Sequence, residues 1–174
     1  EQLTALLDAL DSFPEIGLIF TMSNADNGGQ LMTRMVQAYT SSRDNASSYT
    51  SLGTVKYLST LACVEGVIGN SSSGLLEAPS YRVGTVNIGD RQKGRLQAQS
   101  VISCDPDKHK IETAIRKLLS DDFRSVVQNV ISPFGSSGAS AKIVEIIKKM
   151  TLADLGVKTF FDFRNSDKNN ADVR

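Results

Sequence analysis

Apolar residues along this chain keep two rhythms in turn, one of helical spacing and one of short continuous runs. Leu3, Leu6, Leu7 and Leu10 recur every three or four residues, which predicts an amphipathic helix over residues 2–12 that stops before Pro14. Residues 16–22 (IGLIFTM) are apolar almost without break, the pattern of a strand buried on both faces. A polar loop follows at residues 23–29, then a helix over 30–42 with Leu31, Met35 and Val36 inward. A short strand is expected around 48–50 and a helix over 54–63, with Val55, Leu58, Leu61 and Ala62 on one face. Val67 and Ile68 read as a buried parallel strand ending at Gly69, and a helix opens at Leu75. Strands at 85–88 and 100–104 precede helices over 107–119 and 121–130. Asp107 and Pro106 stand in favourable positions at the first of these helix starts. A last helix covers 141–150, with Ile143, Ile146 and Ile147 inward, and the aromatic stretch at 159–163 is a terminal strand or an anchor. Strands alternating with helices predict the α/β class: one doubly wound sheet of about five or six parallel strands, with helices on both faces. The domain is expected over residues 1–164, with 165–174 a polar, disordered tail.

Composition narrows the reading. The 174 residues are 40% hydrophobic with zero net charge, enough for one core and without the basic footprint of a nucleic-acid binder. No apolar run approaches the length of a membrane span. The two cysteines, Cys63 and Cys104, make neither a zinc set nor a disulfide framework and are expected to be buried thiols in a reducing cytoplasm. No signal peptide is visible, and a start at Glu1 without an initiator Met is what a fragment would show. The single histidine, His109, lies between two lysines and reads as solvated; without a second ligand it argues against a metal site.

The candidate chemistry lies between residues 66 and 95. The strand ending at Gly69 feeds a loop, Asn70-Ser71-Ser72-Ser73-Gly74, that opens a helix. Unpartnered N–H groups and the positive end of the helix dipole make such a loop an anion cradle, most naturally for phosphate. Gly69 and Gly74 permit close backbone approach, and three hydroxyls add donors. The next strand delivers Asp90-Arg91-Gln92-Lys93-Gly94-Arg95 at its carboxyl end, where open α/β sheets bind ligands. A Ser/Gly loop beside three cations suits a diphosphate, with Arg91 the bidentate grip and Glu77, one turn into the helix, placed to accept ribose hydroxyls. The plainer reading is a capped helix next to a solvated basic loop. A Gly-Ser-Ser-Gly run at 135–138 offers a second cradle only in outline, because no apolar strand precedes it.

GNSSSGLLEAPS followed by TVNIGDRQKGR resembles the hydrolysing UDP-N-acetylglucosamine 2-epimerases of sialic-acid and related nonulosonic-acid pathways. The resemblance covers nearly the whole chain but only the carboxy-terminal half of the family's length. It implies a Rossmann-like, UDP-binding carboxy-terminal domain of a two-domain glycosyltransferase-B-type fold. In that family an Asn-x-Asp-x-Gly loop lies beside the nucleotide, and Asn24, Asp26 and Gly28 match it; on its own this loop is an ordinary turn. In the family the residues before the corresponding helix line the uracil pocket, so the resemblance implies Thr50 or Ser51 near the base. Two departures stand out: Arg82 and Gly84 occupy positions where a Gly and a Pro are usual, so a looser turn is expected there. The carboxylates that move the proton at the sugar's second carbon belong to the family's amino-terminal domain, so catalytic residues are expected outside this chain.

The resemblance therefore implies UDP-binding residues Asn24, Thr50, Ser71, Ser72, Ser73, Gly74, Glu77 and Arg91, with no cofactor and no metal. The implied substrate is a UDP-N-acetylhexosamine, the products its free N-acetylmannosamine-type 2-epimer and UDP, and the full-length protein a homo-oligomer. Neither nucleic acid nor membrane is an expected partner. Two alternatives share the diphosphate cradle: the carboxy-terminal domain of a glycosyltransferase and a non-catalytic UDP-binding module.

Overall fold

In a computed structural model, which describes residues 1–22, 29–135 and 137–150, the short apolar runs form five strands joined by helices. They are β1 (Leu18–Thr21), β2 (Ala46–Tyr49), β3 (Gly66–Gly69), β4 (Gly84–Ile88) and β5 (Val101–Cys104). Every pairing is parallel. β1 pairs with β2 from Leu18 opposite Ala46, β3 with β4 from Gly66 opposite Gly84, and β4 with β5 from Thr85 opposite Val101.

The expected single sheet is divided in two. β1 and β2 form one sheet and β3-β4-β5 the other, because β1 and β3 are not hydrogen-bonded to one another. The two sheets still share one core. Leu18 and Phe20 of β1 pack against the cluster that holds Val86 and Ile88 of β4.

The helices are α1 (Gln2–Leu10), α2 (Gly29–Ser41), α3 (Gly53–Leu61), α4 (Ser73–Leu76), α5 (Lys108–Leu118) and α6 (Asp121–Gln128), with a 3₁₀ turn at Ala78–Tyr81. Two are capped by side chains, the first at the helix start expected from Asp107. The Asp107 carboxylate accepts from the Lys110 N–H at 3.1 Å, and the Ser120 hydroxyl accepts from the Phe123 N–H at 3.3 Å. Leu7 and Leu10 of α1 meet Ile111, Ala114, Ile115 and Leu118 of α5 in the core.

β4 is the central strand of its sheet and is buried along its whole length. Alternation explains why. Val86 and Ile88 enter the core with α1 and α5, while Thr85 turns to the opposite face and donates to the Gly74 carbonyl at 2.9 Å. The doubly wound arrangement is therefore real at this strand, with helices against both of its faces.

The other apolar runs are less covered than their composition suggests. Ile19 of β1 is 51% exposed, since only the face carrying Leu18 and Phe20 meets the core. Leu31 of α2, Val55 of α3 and Cys63 just beyond α3 are exposed as well, although Val36 and Leu61 on those two helices are buried. Cys104 is half-buried, and that burial pushes its thiol pKa up.

From Ser137 the chain forms a second unit, in which α7 (Ala139–Lys149) is described. Its Ile143, Ile146 and Ile147, expected inward, are exposed. The stretches at 159–163 and 165–174 lie outside the described residues. No described helix is long and apolar enough to cross a membrane.

Candidate functional site

The candidate site forms where β3 and β4 end side by side. Because the two strands are adjacent and parallel, the loop after Gly69 and the loop after Ile88 leave the same edge of the sheet. Gly69 makes the first turn with φ +146°, a value that side chains disfavour. Gly74 is small for a different reason: a Cβ there would lie 2.5 Å from the Thr85 Cγ2.

The serine loop holds itself in shape. The Ser71 hydroxyl accepts from the Ser73 N–H at 3.3 Å, and the Ser71 carbonyl accepts from the Gly74 N–H at 3.3 Å. The Ser72 carbonyl accepts from both Leu75 and Leu76 as α4 begins. Among the described residues, the N–H groups of Ser71 and Ser72 have no protein acceptor. Two free donors at a loop-to-helix turn are what a phosphate oxygen requires.

Three side chains outside the loop brace it. Tyr57 of α3 shares a hydrogen bond with the Ser73 hydroxyl. Thr85 of β4 holds the Gly74 carbonyl, and Gln92 donates from Nε2 to the Asn70 carbonyl at 2.7 Å. None of the three belongs to the set read from the sequence. Thr85 sits in an apolar strand and Tyr57 in a helix, so neither signals a partner locally. The signal for Gln92 is its place beside Arg91, which the cations of that loop mask.

Arg91 is exposed and makes no ion pair among the described residues. Its guanidinium therefore remains available to a ligand. Glu77 lies just past the end of α4 rather than one turn into a longer helix. Its Oε2 is buried with no donor among the described residues. Such an acceptor is costly to leave unpaired, and a ligand hydroxyl would satisfy it.

Thr50 is exposed at the carboxyl end of β2, in the other sheet. The chain turns from there through Ser51, whose hydroxyl accepts from the Gly53 N–H at 3.1 Å, into α3. α3 then reaches the serine loop through Tyr57, which links the turn after Thr50 to that loop. Asn24, with Asp26 and Gly28, lies outside the described residues.

A separate cleft of about 560 Å³ opens between the Gly89-Asp90 turn, the end of β5 and α5. It is lined by Asp105, His109, Lys110 and Lys117, and by none of the residues predicted for the nucleotide. There Lys110 and Asp105 form an exposed ion pair at 2.5 Å that lowers the carboxyl pKa and raises the ammonium pKa. His109 stands exposed, 3.7 Å from Glu112. Among the described residues no group of three or more His, Cys, Asp or Glu is arranged to hold a metal ion.

Comparison with known proteins covers most of the chain. The family model described as UDP-N-acetylglucosamine 2-epimerase matches residues 1–148. A Campylobacter jejuni protein named GDP/UDP-N,N'-diacetylbacillosamine 2-epimerase (hydrolyzing) is 35% identical over 164 residues, covering 93% of this chain and 42% of its own. The polysialic acid biosynthesis protein P7 of Escherichia coli is 37% identical over the same shares. The chain thus spans about two fifths of the length of these relatives. Among solved structures, the S. aureus MnaA–UDP co-structure superposes with a TM-score of 0.69 at 19% identity, over 84% of this chain and 40% of that one. A Neisseria meningitidis UDP-GlcNAc 2-epimerase bound to UDP-GlcNAc gives 0.65 at 17% identity, over 86% and 40%. At such identities the superpositions establish the fold: a parallel α/β arrangement shared with these enzymes.

Proposed function

The chain belongs to the UDP-N-acetylglucosamine 2-epimerase family, and from that premise we propose that it is the nucleotide-holding half of a hydrolysing 2-epimerase. The observation that carries the proposal is the pairing of the serine loop with Arg91 on adjacent strand ends of one sheet. Ser71 and Ser72 give N–H and hydroxyl donors to the diphosphate, and Arg91 gives a guanidinium fork. Ser73 and Gly74 keep the cradle in shape, Glu77 accepts the ribose hydroxyls, and Thr50 and Asn24 flank the base. Ligands of both alternative classes, glycosyltransferase and non-catalytic module, would use the same cradle; family membership favours the epimerase.

The chemistry follows from what such a site stabilises. Departure of UDP from the sugar, with loss of the proton at carbon two, leaves a glycal; addition of water on the opposite face gives the free 2-epimer. Charge grows on the diphosphate as the bond breaks. Preorganised N–H groups and Arg91 would stabilise that charge more than they stabilise the ground state. Proton removal falls to carboxylates of the other domain. The substrate class is a UDP-N-acetylhexosamine, with N-acetylglucosamine and diacetamido sugars both represented among the named relatives. A cytoplasmic homo-oligomer acting in sialic-acid or related synthesis completes the reading.

The test uses the chain itself. Titrating residues 1–174 with UDP should give saturable binding, while incubation with UDP-N-acetylglucosamine should release neither UDP nor free N-acetylmannosamine. Failure to bind UDP contradicts the site assignment. Release of both products contradicts the division of labour between the two halves.

A further inference from the structure

We infer that Gln92 is a positioning residue that aims the serine loop and sets its distance from Arg91; the inference rests on reading this loop as the diphosphate site. Gln92 is only 3% exposed, although it lies in a loop whose Arg91, Lys93 and Arg95 are all exposed. Burying a long amide side chain forfeits rotamer freedom and hydration, so the position is not one that a solvated loop would choose. Its Nε2 reaches across to the Asn70 carbonyl at 2.7 Å, joining the loops that follow β4 and β3. Its Oε1 is buried without a partner among the described residues, a further cost of keeping an amide here.

The bond acts on the cradle through the geometry of one peptide. The Asn70 carbonyl and the Ser71 N–H belong to the same planar trans unit and point in opposite directions. Holding the carbonyl at Gln92 therefore turns the Ser71 N–H away from Gln92 and prevents that peptide from flipping. Ser71 N–H is one of the two donors without a protein acceptor. The same bond anchors the residue next to Arg91, so cation and cradle keep a fixed separation. Fixed separation is what two groups gripping one diphosphate need, because a donor that must be reordered on binding loses part of its affinity.

Gln92→Met keeps the length of the side chain and removes the amide donor; Gln92→Glu keeps the shape and turns the donor into an acceptor. Each is titrated with UDP and with uridine, in the parent and in the Arg91→Ala background, with circular dichroism confirming the fold. UDP affinity should fall about threefold to tenfold in Gln92→Met, and further in Gln92→Glu, with uridine affinity unchanged. Combined with Arg91→Ala, the loss should be smaller than the sum of the separate losses, as coupled sites show. Equal loss of UDP and uridine, or strict additivity, would assign Gln92 a merely structural role and overturn the inference. If the parent binds UDP and both variants match it, this inference alone falls; if the parent does not bind UDP, the site assignment falls with it.

Discussion

The hydroxyls of Tyr57 and Ser73 share a hydrogen bond, so a residue one turn into α3 holds the serine loop that opens α4. The contact couples the helix that follows Thr50 to the proposed phosphate cradle. Removing it with Tyr57→Phe leaves the ring in place and frees Ser73. Stability should fall by about 0.5–1.5 kcal/mol, read as a lower urea midpoint at an unchanged slope. UDP affinity should weaken in parallel. An unchanged midpoint would mean that solvent already satisfies both hydroxyls.

Arg82 offers the opposite sign of change. It closes the 3₁₀ turn with φ +55° and ψ +44°, a left-handed conformation that costs a side-chain-bearing residue about 1–2 kcal/mol. The residue is exposed, so its side chain adds no core contact. The Arg82 N–H closes the turn on the Ala78 and Pro79 carbonyls. Arg82→Gly relieves the strain and returns part of the gain as unfolded-state entropy. A net stabilisation of about 0.5–1 kcal/mol is expected, visible as a higher melting temperature; a lower one contradicts this.

Tyr39 sets a limit at high pH. Burial, then its hydrogen bond to Asp11 at 2.9 Å, pushes its pKa up to about 12 from 10.0, against a smaller opposing pull from Arg43. The folded chain thus keeps the phenol proton after the unfolded chain has released it. Stability contributed at Tyr39 is complete below pH 10 and drains away as pH rises toward 12. Absorbance titration should show a phenolate appearing near pH 12 that Tyr39→Phe lacks. A parent titration that Tyr39→Phe leaves unaltered near pH 12 contradicts it.

Much of this architecture was legible in the chain. Helical spacing located α1 and α5, and apolar runs located β3, β4 and β5 to within a residue or two, because local periodicity encodes which face meets a core. Covering is a different matter. Ile19, Leu31 and Val55 have the right spacing but stand exposed, since whether a surface lies over a residue depends on distant elements. The division into two sheets was likewise invisible, because parallel pairing is a long-range choice that no strand states by itself. At the site, the glycines, serines and Arg91 stood out by composition and spacing. Tyr57, Thr85 and Gln92 did not, because each acts through a contact 11 to 22 residues away.

The central claim is that the serine loop and Arg91 grip a diphosphate. It is tested most directly by calorimetric titration of the parent chain and Arg91→Ala with UDP and with uridine. Loss of a charged hydrogen-bond partner costs about 1.5–3 kcal/mol, or roughly tenfold to a hundredfold in affinity. Arg91→Ala should weaken UDP binding by that factor and leave uridine binding nearly intact. Equal affinity of parent and variant for UDP would make Arg91 a solvated surface cation and contradict the account.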